Sequence, residues 1–231
     1  MNTILPAVMV VYNLHPRDAG TIPSLLAVSG CRHALVSRRE FAELAPRSVP
    51  RHLIVLGGPQ TATDIADRET LALLRRMEFH ARRGGAIFGI CLGAQLLARA
   101  HGAKIVRHRS GAREIGYHRV RRLGPASSCD FPEGHYYQWH YDVIEDFSAG
   151  RVLMRSELAP VQAFRIGSNH FGLQFHPEVD LPTVRRLVAL FAHRLGAVGA
   201  QPALDQLAAH RRYAMANAVR LRAALVRWLS A

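Results

Sequence analysis

The chain has 231 residues, 49% of them hydrophobic, and a formal net charge of +13, long enough for one large domain or two small ones around a buried core. No apolar run approaches the roughly 20 residues that cross a bilayer. Cys31, Cys91 and Cys129 lack the spacing of a metal site or a disulfide framework, so a reducing cytoplasm is the expected setting.

The N-terminus is apolar but has no basic n-region or cleavage site, so residues 4–12 read as a first strand rather than a signal peptide. Residues 22–30 read as a helix closed by glycine, 33–37 as a second strand, and 53–56 as a buried strand that stops at Gly57-Gly58-Pro59. Ile65, Leu71, Leu74 and Met77 give helical spacing to 63–83; a strand at 86–90 and a helix at 92–101 follow. This alternation implies an α/β fold with a mostly parallel central sheet, covered by helices on both faces.

From 105 to 178 the texture changes to short strand-like runs at 117–123, 136–144, 152–156, 161–166 and 171–175, which predict antiparallel strands added to the sheet or beside it. Asp180 and Pro182 open a helix expected to reach about residue 195. A final helix over 202–229 carries an apolar stripe of Leu204, Leu207, Met215, Ala218, Leu221, Leu225 and Trp228. That stripe is expected to pack on the domain, with a homodimer contact as the alternative. Residues 1–195 thus form the principal domain, and 196–231 a C-terminal helical extension packed on it.

The positive charge is almost all arginine; Lys104 is the one lysine. The densest basic stretch, 104–122, has no interleaved stacking aromatics and no nucleic-acid motif, which argues against nucleic acid. A solvated basic face is expected there, with an acidic partner or substrate as the alternative.

Three pieces carry chemistry. In Gly89-Ile90-Cys91-Leu92-Gly93, glycines stand two residues to either side of a cysteine where a strand hands over to a helix, the spacing of a nucleophile elbow. The unpaired N–H groups of the helix start stabilise negative charge on such a sulfur, and the Leu92 N–H points toward whatever Cys91 attacks. A buried structural cysteine between packing glycines is the competing reading. In Gln174-Phe175-His176-Pro177-Glu178, a strand end delivers a histidine with a carboxylate two residues on, the base and orienting acid that a cysteine nucleophile needs. Leu56-Gly57-Gly58-Pro59 alone is a strand-terminating turn. Beside an elbow it offers the Gly58 N–H to an oxyanion, at the strand ends where open parallel sheets gather ligands. An α/β-hydrolase places its acid before its histidine; Glu178 follows His176, which rejects that fold.

Taken in the order LGGP, GICLGAQ, FHPE, these pieces resemble the class I (triad) glutamine amidotransferase family, particularly its GMP-synthase-like glutaminase domain, over roughly residues 4–195. Further agreement lies in Glu114-Ile115-Gly116, Trp139-His140-Tyr141-Asp142 and Val161-Gln162-Ala163-Phe164. The resemblance implies a flavodoxin-like architecture and a glutaminase that uses neither cofactor nor metal. It implies that Cys91 attacks the side-chain amide of glutamine, His176 acts as base and then acid, and Glu178 orients His176. It also implies Gly58 and Leu92 as oxyanion donors, and Gln95, Trp139 and Tyr141 around the amino-acid end of glutamine. Larger synthase-type members carry glycine after the histidine of the substrate-holding loop, where this chain has Tyr141. No stretch after Leu195 is long enough for an acceptor-activating unit, and there is no G-x-x-x-x-G-K loop, so the acceptor half is expected to be either a separate synthase subunit or absent. A hydrolase of another γ-glutamyl amide or peptide, and a catalytically silent binding module, are the alternatives. Cys31 and Cys129 are given packing roles.

Overall fold

Residues 53–56 and 86–90 are apolar without interruption because both faces of their strands are covered. In the computed structural model, which describes residues 7–63, 66–125 and 131–231, β1 (Val8–Tyr12), β2 (His33–Ser37), β3 (His52–Val55) and β4 (Ala86–Ile90) run parallel. Side chains alternate between two cores, as the period-2 geometry of strands requires. Val8, Val10, Ile54, Phe88 and Ile90 point into one core, and Met9, Val11, Leu53, Val55 and Ile87 into the other. The second core is closed by α2 (Arg38–Glu43), α3 (Arg68–Arg82) and α4 (Leu92–Ala100), which contribute Phe41, Leu73, Met77 and Leu96. The first is closed by α1 (Ile22–Val28) and α6 (Ala203–Leu229). Cys31 lies half-buried against that first core. Cys129, Ile65 and the opening residues of the first predicted strand lie outside the described residues.

The chain continues through β5 (Lys104–Arg107), β6 (Glu114–Arg122), β7 (Gly134–His140), β8 (Asp142–Glu145), β9 (Arg151–Arg155), β10 (Ala163–Ile166) and β11 (His170–Leu173). Among the described residues the main sheet has the order β2-β1-β3-β4-β11-β10-β9-β6-β7, and β5 pairs with β8 apart from it. β11 joins β4 in parallel, and every pairing beyond β11 is antiparallel. The mostly parallel sheet with added antiparallel strands is therefore as expected. The key placement is that β3, β4 and β11 are neighbours, with Val55 opposite Gly89 and Ile90 opposite Leu173. Their carboxyl ends, and hence Gly57, Cys91 and His176, emerge side by side.

Several boundaries differ from expectation. The single strand expected over 136–144 is two strands broken at Tyr141, and α3 starts at Arg68 rather than residue 63, where the Asp67 side chain accepts from the Glu69 and Thr70 N–H groups. α5 (Leu181–Leu190) stops short of residue 195 and passes into a 3-10 turn over Ala192–Arg194.

The expected stripe on α6 is corrected most. Leu204 and Met215 are 80% and 83% exposed, whereas Gln206, His210, Asn217, Leu221, Ala224, Leu225 and Trp228 are buried. The reason is that the first half of the helix crosses polar backbone and tyrosine hydroxyls. Tyr137 donates to Gln206 at 3.0 Å, the Tyr117 hydroxyl lies 2.9 Å from His210 Nδ1, and Asn217 donates to the His135 carbonyl at 3.1 Å. Buried polar groups persist only when paired in this way. The second half packs on apolar surface, where Trp228 meets Phe88 edge-on at 5.6 Å and donates to the Asn169 carbonyl at 2.9 Å.

His170, at the start of β11, is buried, with its ring centroid 5.2 Å from that of His101. Burial, and then the charges of His101 and His80, push its pKa down from 6.5 to about 4. The unfolded chain therefore binds a proton that the native state refuses. The neutral ring's contribution to stability is complete above about 6.5 and is lost as the pH falls from there through about 4. Each pKa unit is worth about 1.4 kcal/mol, so the full loss is on the order of 3 kcal/mol. In urea unfolding, the stability difference between neutral and mildly acidic buffer should shrink by about 2–3 kcal/mol in His170→Gln. An unchanged difference would acquit His170.

Candidate active site

The turn from β4 into α4 is tight because the two elements touch through glycine. A Cβ on Gly89 would sit 2.6 Å from the carbonyl carbon of Gly93, and one on Gly93 would press into the Val55 carbonyl of β3. Cys91, at the tip, has φ 51° and ψ −108°, a backbone state that costs a non-glycine residue about 1–3 kcal/mol and clusters at functional sites. Its N–H donates to the Leu173 carbonyl at 2.7 Å, and its carbonyl accepts from Gln95 at 2.9 Å. The elbow is thus tied to β11 on one side and to the helix on the other. Cys91 is 6% exposed, and its remaining surface faces a cavity of about 500 Å³.

His176 leaves β11 with its N–H bonded to the Tyr137 carbonyl at 2.8 Å. Its Nδ1 lies 2.6 Å from Glu178 Oε1, so the Nδ1 proton is directed at the carboxylate. The other edge of the ring faces the Cys91 side chain. Both groups crowd Gly57, where an added Cβ would lie 2.8 Å from His176 Cε1 and 3.3 Å from Cys91 Cβ. Burial opposes charge on the ring, but the Glu178 carboxylate and the Cys91 sulfur outweigh it and hold the His176 pKa well above the ordinary histidine value. Glu178 is buried, and its carbonyl accepts from the N–H and hydroxyl of Thr21 at 2.8 and 3.1 Å, which pins it to the start of α1.

Gly58 and Leu92 line the same cavity. Neither backbone N–H donates to an acceptor among the described residues. The buried side chain of Asn13 donates to the carbonyls of Leu56 and Gly57 at 2.7 and 3.3 Å. A trans peptide points its N–H opposite its C=O, so fixing the Gly57 carbonyl on Asn13 turns the Gly58 N–H the other way. Sequence reasoning missed Asn13, because an asparagine after a strand carries only a turn signal.

The far wall comes from the β7–β8 corner. The Trp139 carbonyl is 3.9 Å from Cys91 Sγ. Gln95 lines the cavity and donates to the Asp142 carbonyl and Gln174 Oε1 at 3.1 and 3.0 Å, and Gln174 in turn points its amide at Cys91 Sγ, 3.6 Å away. Tyr141 lines the cavity where the strand breaks. Behind them His140 Nδ1 is 3.1 Å from the Asp142 carbonyl, and Nε2 makes an ion-pair contact with Glu114 Oε2 at 2.9 Å. Gln162 also donates to Glu114 at 2.7 Å. Burial works against the Glu114 carboxylate, but the hydrogen bond and charge of His140 lower its pKa below the ordinary value. Glu114 and Gln162, noticed in the sequence without a role, therefore stiffen the corner that carries Trp139 and Tyr141. Every predicted site residue borders one cavity: a thiol, an imidazole backed by a carboxylate, and two N–H donors with no acceptor among the described residues, the set that acyl transfer from an amide requires.

The sequence model of the family described as "Glutamine amidotransferase class-I" matches residues 22–194. The chain is 32% identical over 199 residues to the GMP synthase (glutamine-hydrolyzing) of Mycobacterium tuberculosis, a match covering 78% of this chain and 36% of that protein. It is 32% identical over 157 residues to that of Coxiella burnetii, covering 62% and 28%. The chain thus spans about a third of the length of the curated relatives it matches. Among solved structures, a glutamine amidotransferase from Thermotoga maritima superposes with a TM-score of 0.84 at 23% identity, covering 97% of this chain and 98% of that one. A putative GMP synthase subunit protein from Thermoplasma acidophilum gives 0.61 at 23% identity, covering 77% and 87%. These two likenesses bear on the fold. No helix among the described residues is long and apolar enough to cross a membrane.

Proposed function

The chain belongs to the class-I glutamine amidotransferase family, and from that premise we propose that it hydrolyses the side-chain amide of glutamine through a γ-glutamyl thioester on Cys91. One observation carries the reading: Cys91, His176 and Glu178 meet at adjacent strand ends beside two unpartnered N–H groups. Sulfur gives its proton to His176 and bonds the amide carbon. The oxygen takes up negative charge within reach of the Gly58 and Leu92 N–H groups, which stabilise it more than the neutral carbonyl. His176 passes the proton to nitrogen, the C–N bond breaks and ammonia leaves. Water, deprotonated by the same imidazole, then attacks the thioester, and the C–S bond breaks to release glutamate. Glu178 accepts from Nδ1 throughout, which fixes the tautomer and stabilises the imidazolium. Gln95, Trp139 and Tyr141 hold the amino-acid end.

Ammonia goes, in this reading, to an acceptor or partner, with a synthase unit as the candidate recipient. The similarity to GMP synthases supports a synthase unit in that role. The whole operates in the cytoplasm, where a catalytic thiol stays reduced, and residues 1–195 with the extension 196–231 act as one domain. The test is to incubate purified protein with L-glutamine and follow both products. Glutamate and ammonia should appear in equal amounts; a folded protein that releases neither, alone or with a synthase partner, would refute the proposal.

A further inference from the structure

Away from the side that holds it to the sheet, α6 shows solvent a second, regular pattern. Leu204, Met215 and Val226 stand eleven positions apart, as do Ala208 and Val219, and Arg211 and Arg222. Eleven residues close three helical turns to within about 20°, so these side chains form one nearly straight seam, about 33 Å long. They face outward: Leu204, Met215, Val219 and Val226 are 80, 83, 65 and 44% exposed, and Ala208, Arg211 and Arg222 are exposed with them. Arg222 Nε donates to Ser29 Oγ at 3.4 Å, which brings the end of α1, where Val28 is exposed, to the same end of the seam. No described residue of the cavity wall belongs to α6, so this surface is separate from the active site.

Large apolar side chains exposed together and rimmed by charge mark a binding surface, and the rim tells what kind of partner fits. α6 carries five arginines against one acid, Asp205. Arg211, Arg212 and Arg222 are exposed and have no carboxylate partner among the described residues. A second copy of this chain is a poor occupant. Two seams laid parallel in register put Arg211 on Arg211; laid antiparallel about Met215 they bring Arg211 within one turn of Arg222. Like charges so placed oppose association. A lipid surface asks for a broad apolar face with aromatic residues, whereas this seam has the narrow width of a helix–helix contact and no aromatic on it. A straight, narrow seam bordered by arginines fits another helix, one that brings acids.

We infer that the outer face of α6 docks an acidic amphipathic helix of a partner protein, whose apolar edge covers Leu204, Met215, Val219 and Val226 and whose carboxylates meet Arg211 and Arg222. A guanidinium takes a carboxylate through two parallel N–H bonds, so two such pairs fix the register of the partner as well as its choice. The inference is independent of the Cys91 chemistry, because the partner covers no residue of the cavity.

The probe is a fluorescein-labelled helical peptide of about 26 residues, with leucine along the edge that faces the seam and glutamate opposite Arg211 and Arg222. A second peptide replaces both glutamates by lysine. In fluorescence anisotropy with the full chain, the glutamate peptide should bind about 10-fold or more tighter than the lysine peptide at low salt, and added salt should shrink that preference. Arg211→Glu/Arg222→Glu should reverse it. Met215→Glu/Val219→Glu should weaken the glutamate peptide by about 10-fold or more, with thermal unfolding showing that both variants fold. Equal binding of the two peptides, binding of neither, or binding untouched by Met215→Glu/Val219→Glu overturns the inference. So does a dimer of the free protein in sedimentation equilibrium that the same variant dissolves, which gives the face to a second copy. Flotation with vesicles of equal phosphatidylglycerol and phosphatidylcholine, lost in that variant, gives it to a membrane and overturns the inference too.

Discussion

Cys91→Ala should lower glutamine hydrolysis by about 10⁴-fold or more, with no γ-glutamyl adduct detectable by mass spectrometry, while the protein still folds. The size of the loss follows from the role: when the nucleophile of a coupled constellation is removed, the base and its orienting acid have nothing to act on. The fold survives because alanine keeps the Cβ and the burial, and the backbone bonds to Leu173 and Gln95 involve no side chain. A companion variant isolates the strain. At φ 51° glycine is comfortable where alanine is not, so Cys91→Gly should be as inactive as Cys91→Ala yet more stable by about 1 kcal/mol. Full activity in either variant would end the assignment of the nucleophile. A less stable glycine variant would end the claim of strain.

Gly93→Ala should destabilise the protein by about 3 kcal/mol or more, even though alanine is the better helix former by about 1 kcal/mol. The added methyl would press into the Val55 carbonyl oxygen, with the carbonyl carbon 2.7 Å away. Neither atom is the end of a flexible side chain, so α4 must lift off β3 and carry Cys91 with it. For a chain of this size the melting temperature should drop by about 6–12 °C, with loss of hydrolysis at temperatures where the parent is active. Gly196→Ala is the control: a Cβ there meets nothing within 4 Å, so the melting temperature should stay put. Equal behaviour of the two variants would remove the packing explanation for the second glycine of the elbow.

Much of this is legible in the letters, for physical reasons. Continuous apolar runs such as Leu53-Ile54-Val55-Leu56 announce strands covered on both faces. Gly89 and Gly93 around Cys91 announce a strand and helix in backbone contact, and His176 with Glu178 announces an imidazole with a carboxylate behind it. What escapes is whatever depends on which distant segments meet. Nothing near Asn13 in the chain tells that its amide will hold the Gly57 carbonyl, 44 positions on. The α6 stripe misleads because it counts apolar letters, whereas the helix faces tyrosine hydroxyls and a backbone carbonyl that want Gln206, His210 and Asn217.

The long final helix spans a seam in the sheet. Asn217 grips β7 in the antiparallel half, while Trp228 rests on Phe88 in the parallel half. The sulfur rides on one half and the Trp139 carbonyl opposite it on the other, so the helix acts as a splint that sets the gap between the two jaws of the cleft. Heat or denaturant should therefore melt both halves together, because neither jaw can swing free while the splint is in place.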